Sequence, residues 1–139
     1  MLKLHTRRSP LKLRFFSTTP NKTPVTIYRG DKTSVFFNLA FEEFLLEQKP
    51  ENPILFLWRN DPTINIGRHQ NPWKECRLNV MESEGCSLVR RYSGGGAIFQ
   101  DLGQSTFTFI NKASDASWDR NFNILEKALG GLGINAKRK

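Results

Sequence analysis

The sequence predicts an α+β domain in which helices flank a mixed sheet. Three segments favour helices, whereas six shorter segments have the apolar or alternating character of strands. Turns rich in Gly, Pro, Asn and Asp separate them, and neither a repeat nor an internal linker divides the chain. Residues 25–139 are therefore expected to form one domain behind a separate leader at residues 1–24. The strands are predicted at residues 25–29, 54–58, 63–68, 86–90, 97–100 and 105–110.

The first predicted helix occupies residues 34–48, with Thr33 or Ser34 as its N-cap, and Lys49-Pro50 ends it. The continuous apolar run that follows, residues 54–58, is typical of a strand buried on both faces. Four apolar side chains of the helix recur at spacings of three and four, so they are expected to share one face: Phe37, Phe41, Phe44 and Leu45.

The later elements have equally local signals. A second helix is predicted to begin at Asn71-Pro72 and to end at Gly85. The alternating segment at residues 105–110 places Phe107 and Phe109 on one face of a strand. A third helix is predicted at residues 121–132, where the sequence passes into glycines.

The most informative segment is a run of three glycines between two predicted strands. Arg90 and Arg91 stand at its entrance, and an acidic turn, Asp101-Leu102-Gly103, follows its second strand. Glycines let a ligand approach main-chain N–H groups, and successive N–H groups form a concave anion site. An arginine can add a planar cation for carboxylate or phosphate. A flexible hairpin is the simpler reading, and the segment has neither the P-loop lysine nor the dinucleotide-binding spacing.

The leader has the composition of a mitochondrial transit peptide, which is expected to be disordered and to direct the protein to the matrix. It contains no acidic residue and is rich in Ser and Thr. The sequence Arg14-Phe15-Phe16-Ser17 resembles a processing site, with cleavage after Phe16. Its apolar stretches are too short for a membrane-spanning segment. A basic arm for nucleic acid or membrane is the alternative. Its cations are Lys3, Arg7, Arg8, Lys12, Arg14 and Lys22.

Most of the net positive charge of the chain lies in the leader and not in the predicted domain. The whole chain carries +8, from 21 basic and 13 acidic residues, but residues 25–139 carry only 15 basic and 13 acidic residues. We therefore expect neither a nucleic-acid partner nor a membrane partner for the domain. Cys76 and Cys86 lack a partner at metal spacing, and His69 falls in a predicted loop, so no metal site is expected.

Three blocks, in one order and spacing, resemble the lipoate–protein ligase A family, whose catalytic domain has the biotin/lipoate ligase-like fold. The resemblance extends from about residue 28 to about residue 136. The first block is FNLA at residues 37–40 with Glu42-Glu43; the second is FLWRN at 56–60, Thr63, IGR at 66–68 and QNPWKEC at 70–76; the third is RYSGGGA at 91–97 with DLG at 101–103.

The resemblance implies an ATP-dependent ligase. Members of the family activate lipoate with ATP, with Mg²⁺ expected as the companion ion, and form lipoyl-adenylate. They then transfer the lipoyl group to a lysine of a lipoyl domain. The implied partners are the lipoyl domains of 2-oxoacid dehydrogenase complexes and the glycine cleavage H protein.

The resemblance also implies roles for individual residues. Those that match the ATP and lipoyl-adenylate site are Arg91, Ser93, Gly95, Gly96, Ala97, Ile98, Phe99 and Gln104. Those that match the acyl pocket are Trp58, Glu42 and Gln100. Gln100 stands where the family often has histidine, and Gln104 stands where it usually has asparagine. The added methylene of Gln104 shifts its amide by about one bond length.

The family pattern continues beyond this chain with an Arg-Asn-Asp element and a later lysine that contacts the acyl-phosphate. We therefore expect a catalytic domain that is incomplete at its C-terminus. We also expect that residues 17–139 alone bind lipoyl-adenylate weakly or not at all and do not transfer lipoate. Three alternatives remain: an acyltransferase that uses a lipoyl or octanoyl thioester without ATP, a non-catalytic acyl-binding relative, and a nucleic-acid or membrane binder driven by the leader.

Overall fold

The structure is a computed structural model that describes the backbone of residues 11–16 and all of residues 24–137. Strands and helices follow one another along the chain. The elements are β1 (Leu11–Phe16), β2 (Val25–Gly30), α1 (Val35–Glu47), β3 (Ile54–Trp58), β4 (Thr63–Ile66), α2 (Pro72–Glu75), α3 (Leu78–Ser83), β5 (Ser87–Arg90), β6 (Ile98–Gln100), β7 (Thr106–Ile110) and α4 (Trp118–Gly131). A short 3₁₀ turn, Ala113–Asp115, precedes α4.

The strands form two sheets. The first has the order β1-β2-β3-β7, in which β2 and β3 are parallel and both outer pairs are antiparallel. The second has the order β5-β4-β6, with β4 parallel to β5 and antiparallel to β6. Helix α1 connects the parallel pair of the first sheet, and α2 with α3 connects the parallel pair of the second. The predicted α+β class with mixed sheets and flanking helices is confirmed.

Side-chain caps set the starts of the helices. The Ser34 hydroxyl accepts a hydrogen bond from the Phe37 amide at 3.5 Å, so α1 begins where the sequence predicts. The Asn71 side chain caps α2 through the Trp73 amide. Helix α4 begins three residues earlier than predicted because Ser117 is its cap.

The single helix predicted between Asn71 and Gly85 is wrong. Cys76 and the residue after it leave helical geometry, with φ −130° and ψ 145° at Cys76. The segment therefore forms two short helices, and the second starts from the Arg77 carbonyl, which accepts the Met81 amide. Gly85 does end this second helix, in the left-handed conformation at φ +63°.

The core lies where α1 covers the first sheet, and it consists of Leu45, Ile54, Phe56, Trp58 and Ile110. The aromatic face predicted for α1 is only partly buried, because Phe37 and Phe44 remain exposed. Asn38 is fully buried instead, and its amide donates to the carbonyls of Lys32 and Arg59. These hydrogen bonds fix the rotation of α1 about its axis, so that the side-chain amide of Asn38 faces the protein interior. Residues 55 and 57 of β3 are half-buried, so this strand is only partly covered on its second face.

The leader contributes β1, which pairs antiparallel with β2 along the whole of Leu11–Phe16. The expectation of a disordered leader is therefore wrong for these six residues. The physical reason is that β2 presents a free edge with unpaired backbone groups, which an extended segment satisfies. Residues 1–10 and 17–23 lie outside the described residues. Among the described helices, none is both long and apolar enough to cross a bilayer.

Candidate functional site

The glycine loop, residues 91–97, connects β5 to β6 and is folded around the Arg91 side chain. The Arg91 guanidinium donates from Nε and Nη2 to the Gly94 carbonyl, at 3.1 and 2.7 Å, and from Nη2 to the Gly96 carbonyl at 2.8 Å. Nη1 donates to the Asn65 carbonyl of β4 at 2.9 Å. Most of the Arg91 donors are thus committed to main-chain carbonyls of the glycine loop and of β4.

Two glycines allow this packing. A Cβ on Gly67 would lie 2.1 Å from the Gly95 carbonyl oxygen, so any larger residue at Gly67 displaces the glycine loop. Gly95 has φ +93°, and a Cβ there would lie 2.9 Å from Arg91 Nη2. The loop is therefore a closely packed structure and not the flexible hairpin of the simpler reading.

Arg90 holds the neighbouring loop in the same way. Its Nη1 lies within hydrogen-bonding distance of the carbonyls of Gly67, Arg68 and Gln70, at 3.2, 3.0 and 2.7 Å. The Arg68 guanidinium lies 5.1 Å from the centre of the Tyr92 ring, a cation–π contact between this neighbouring loop and the glycine loop. Arg68 is thus an exposed cation that contacts the glycine loop through Tyr92.

The glycine loop presents main-chain N–H groups to solvent. Within the described part of the chain, the amides of Gly94, Gly95 and Gly96 donate to no protein acceptor, and all three residues are exposed. Free, adjacent N–H groups on a rigid loop are the arrangement that binds anions. The backbone of the glycine loop is therefore a candidate anion site.

A cavity of about 730 Å³, which we call the arginine cavity, lies between α1, the glycine loop and β7. Glu42, Glu43 and Glu47 line its α1 side, and the three arginines with Ser93 line the opposite side. Cavities of roughly 300–1,000 Å³ are typical of small-molecule sites. The arginine cavity thus offers cationic and acidic walls at opposite ends.

Glu42 is held in place by a hydrogen-bonded chain. The Trp58 indole Nε1–H donates to Thr108 Oγ1 at 3.0 Å, and the Thr108 hydroxyl donates to Glu42 Oε1 at 2.6 Å. Trp58 itself is 4% exposed and belongs to the core. The structure thus places Trp58 behind the cavity wall, where it orients Glu42, and not on the surface of the two larger cavities as predicted for an acyl-pocket residue.

Thr108→Val tests this chain. Valine keeps the shape of threonine but removes the hydroxyl, so the buried Trp58 N–H loses its acceptor. We expect the free energy of unfolding to fall by about 1–3 kcal/mol, the usual cost of an unsatisfied buried donor. Chemical denaturation measures this change. Thr26→Val on β2 is the control, since no hydrogen bond of its hydroxyl is found in the described residues, and an equal loss in both variants contradicts the assignment.

Gln100 is the centre of a buried network of amides. Its Oε1 accepts from the Nδ2 groups of Asn60 and Asn65, at 3.1 and 3.3 Å, and its Nε2 donates to Thr106 Oγ1 at 3.1 Å. Asn60 in turn accepts from Asn38 of α1 at 3.0 Å. The network joins α1, β4, β6 and β7, which frame the site. Gln100 is 3% exposed, so most of its surface faces protein.

A second cavity, of about 690 Å³, lies between β6, β7 and α4, and we call it the α4 cavity. Ile98, Gln100 and Gln104 line it, whereas Glu42 lines both cavities. The predicted site residues that line neither cavity are Trp58, Gly95, Gly96, Ala97 and Phe99. Ile98 and Phe99 are 43% and 57% exposed, so neighbouring side chains on β6 are only partly covered.

The remaining reactive side chains form no second centre. Within the described residues, no group of three or more His, Cys, Asp and Glu side chains is arranged to hold a metal ion. Burial, with smaller contributions from Glu75 and Cys86, raises the pKa of the Cys76 thiol, so this thiol is protonated at neutral pH. Sequence reasoning missed Thr108 and the asparagines of the buried network, although the polar positions that alternate with Phe107 and Phe109 were a signal for Thr108.

Comparison with known proteins defines the class to which this fold and loop belong. The family model described as the lipoyl protein ligase A/B catalytic domain matches residues 34–139. The chain belongs to this family. It is 46% identical over 111 residues to the lipoate-protein ligase A of Psychrobacter cryohalolentis and 43% identical over 115 residues to that of Blochmanniella floridana. These matches cover 79% and 82% of the chain but 33% and 34% of the relatives, so the chain spans about a third of their length.

Solved structures show the same relationship. P. falciparum LipL1, in complex with lipoate, superposes with a TM-score of 0.74 at 35% identity, covering 83% of this chain and 38% of that one. A lipoate-protein ligase A bound with ATP gives 0.63 at 30% identity, covering 73% and 44%. A bi-partite ligase described with its E2 lipoyl domain, from Thermoplasma acidophilum, gives 0.64 at 30% identity, covering 73% and 42%. The fold is that of a lipoate ligase catalytic domain.

Proposed function

We propose that the chain provides the adenylate-binding part of a lipoate–protein ligase. In this reaction a lipoate carboxylate oxygen attacks the α-phosphorus of ATP, the bond to the β-phosphate breaks, and pyrophosphate leaves. The lysine amine of an acceptor then attacks the carbonyl carbon of lipoyl-adenylate, AMP leaves, and the amine loses a proton. The observation that carries the proposal is the glycine loop, whose free N–H groups suit the negative charge that both steps share.

The walls of the arginine cavity suit the phosphate and the acyl chain of lipoyl-adenylate. The arginine side suits the phosphate, and the apolar surface of α1 and β7, including Leu39 and Phe109, suits the acyl chain. Lipoate and ATP are the ligands of two structures similar to this chain. We propose Mg²⁺ as the companion of ATP, because Mg²⁺ is held largely by substrate phosphates and water and needs no protein cage of its own.

The proposed acceptors are lipoyl domains of 2-oxoacid dehydrogenase complexes and the glycine cleavage H protein. Support comes from the T. acidophilum ligase, which is described together with its E2 lipoyl domain. The arginine cavity is open to solvent beside exposed Tyr92, which leaves an approach for the side chain of an acceptor lysine.

Binding of a lipoyl-adenylate analogue to the full chain tests the proposal. Lipoate-dependent release of pyrophosphate from ATP, combined with mass spectrometry of a lipoyl domain, then shows whether the chain also catalyses the reaction. The acyltransferase alternative predicts modification from a lipoyl or octanoyl thioester without ATP. The non-catalytic alternative predicts binding of a lipoyl-adenylate analogue with neither reaction. Modification from a thioester alone contradicts the ATP-dependent proposal, because that chemistry has no adenylate step.

We further propose that residues 1–24 direct the protein to mitochondria. We expect a fusion of residues 1–24 to a soluble reporter to enter mitochondria and to be processed near Phe16, because the segment is basic and acid-free. Microscopy and terminal sequencing measure both events. A variant fusion with the six basic residues changed to glutamine is the control. A wild-type fusion that stays in the cytosol contradicts the proposal.

A further inference from the structure

Strand β1 belongs to the leader and lies at one end of the first sheet. All six of its residues pair antiparallel with β2, from Leu11 opposite Gly30 to Phe16 opposite Val25. The sequence suits a strand, since the first five residues alternate between apolar and basic. The pairing thus extends to Phe16, the residue after which the leader is expected to be cleaved.

The direction of the backbone groups in β2 determines which amides of β1 are bonded. The Thr26 amide donates to the carbonyl of Pro53, the residue before β3. Backbone groups of successive residues in a strand point to opposite sides, so residues 25, 27 and 29 direct theirs towards β1. Their register partners are residues 16, 14 and 12. The amides of these three residues are therefore the ones that β2 holds, whereas those of residues 13 and 15 point away from it.

A peptidase that cuts after Phe16 needs the same stretch of backbone. The sequence that resembles a processing site occupies residues 14–17, and three of these four residues lie in β1. Hydrolysis of the Phe16–Ser17 peptide bond by water in a peptidase requires that the flanking chain first detach from the fold. Pairing with β2 and binding to a peptidase are therefore mutually exclusive for residues 14–16.

We propose that the outer edge of β2 is a strand-binding surface, that residues 11–16 of the uncleaved chain are its occupant, and that this pairing protects the Phe16–Ser17 bond from hydrolysis. A chain that folds before it is processed then keeps β1. Cleavage uncovers the edge, because within the described residues β2 pairs only with β1 and β3. The mitochondrial nature of the peptidase rests on the proposed targeting, whereas the pairing rests on the register of the two strands.

Amide hydrogen exchange of the full chain, followed by NMR, tests the pairing directly. We expect the amides of residues 12, 14 and 16 to exchange at least about tenfold more slowly than in a peptide of residues 1–24, because their exchange requires β1 to open. The amides of residues 13 and 15 should exchange at rates close to those in the peptide. Uniformly fast exchange across residues 11–16 overturns the proposal.

Two neighbouring proline variants of the full chain test the protection. Arg14→Pro removes an amide that β2 holds, whereas Leu13→Pro removes one that points away and is the matched control. Chymotrypsin cleavage after Phe15 and Phe16 is compared with that of the leader peptide of the same sequence. We expect wild type and Leu13→Pro to be cut at least about tenfold more slowly than their peptides, and Arg14→Pro at nearly the rate of its peptide. Equal protection of the two variants overturns the proposal.

A purified mitochondrial processing peptidase separates the protection from the targeting. We expect it to cut the peptide of residues 1–24 at least about tenfold faster than the folded chain, because only the peptide is free of β2. Equal rates overturn the proposed protection. If the peptidase cuts neither substrate, the proposed targeting fails, and hydrogen exchange and chymotrypsin still decide whether β1 is held by β2.

Discussion

Replacing Gln100 with leucine is expected to lower the free energy of unfolding by about 2–5 kcal/mol. Leucine fills a similar volume, but it leaves the Nδ2 groups of Asn60 and Asn65 without their shared acceptor. Each unsatisfied buried donor costs about 1–3 kcal/mol. A loss of this size is a large part of the roughly 5–15 kcal/mol that stabilises a small protein. Urea denaturation followed by circular dichroism measures it.

The matched control is Gln104→Leu, the same substitution at an exposed residue that lines the α4 cavity. We expect a change within about 0.5 kcal/mol, as for most surface substitutions. Gln100→Glu is a second comparison, because it keeps the acceptor but removes the donor to Thr106 and introduces a charge at a buried position. Equal stabilities of Gln100→Leu and wild type would show that the network does not hold the two sheets together.

Gly67→Ala is expected to distort the glycine loop and to abolish most of its ligand binding. The added methyl carbon would lie 2.1 Å from the Gly95 carbonyl oxygen, so the loop must move. Overpacking costs about 1–3 kcal/mol of stability. We expect the affinity for the lipoyl-adenylate analogue to fall by at least about tenfold, since a contact of a backbone N–H to an anion contributes about 1.5–3 kcal/mol. Calorimetric titration and thermal denaturation measure the two effects.

Gly130→Ala provides the control for this substitution. Gly130 lies in α4, and a Cβ there meets no atom within 4 Å. Alanine is favoured over glycine in a helix by about 1 kcal/mol, so this variant should be slightly more stable and should bind the analogue like the wild type. Binding losses of the same size in Gly67→Ala and Gly130→Ala would mean that the close approach of Gly67 to the loop has no functional role.

Local patterns predicted the fold class and most element boundaries because caps and turns act over a few residues. Ser34 caps α1, and Gly85 ends a helix in the left-handed conformation. The glycine run between β5 and β6 was identifiable as a candidate anion site, because glycines let a ligand approach main-chain N–H groups. The family assignment followed from three blocks of motifs and is confirmed by the match to residues 34–139.

Features that depend on distant contacts were not predictable in this way. The rotation of α1 is set by Asn38, whose partners lie beyond both ends of the helix in the sequence. The packing of Arg91 on the Asn65 carbonyl depends on β4 and the glycine loop meeting in space. The role of Trp58 as an orienting donor depends on Thr108, which is fifty residues away in the sequence. Such contacts leave no periodic pattern.

The most direct test of the account is an amide NMR titration of the full chain with a sulfamoyl analogue of lipoyl-adenylate. Because NMR detects weak binding residue by residue, it tests the site even at low affinity. We expect saturable shifts that are largest at the amides of Gly95 and Ala97, with smaller shifts at the Glu42 wall of the arginine cavity. An absence of shifts at saturating ligand, or shifts confined to residues outside the glycine loop and this cavity, would contradict it.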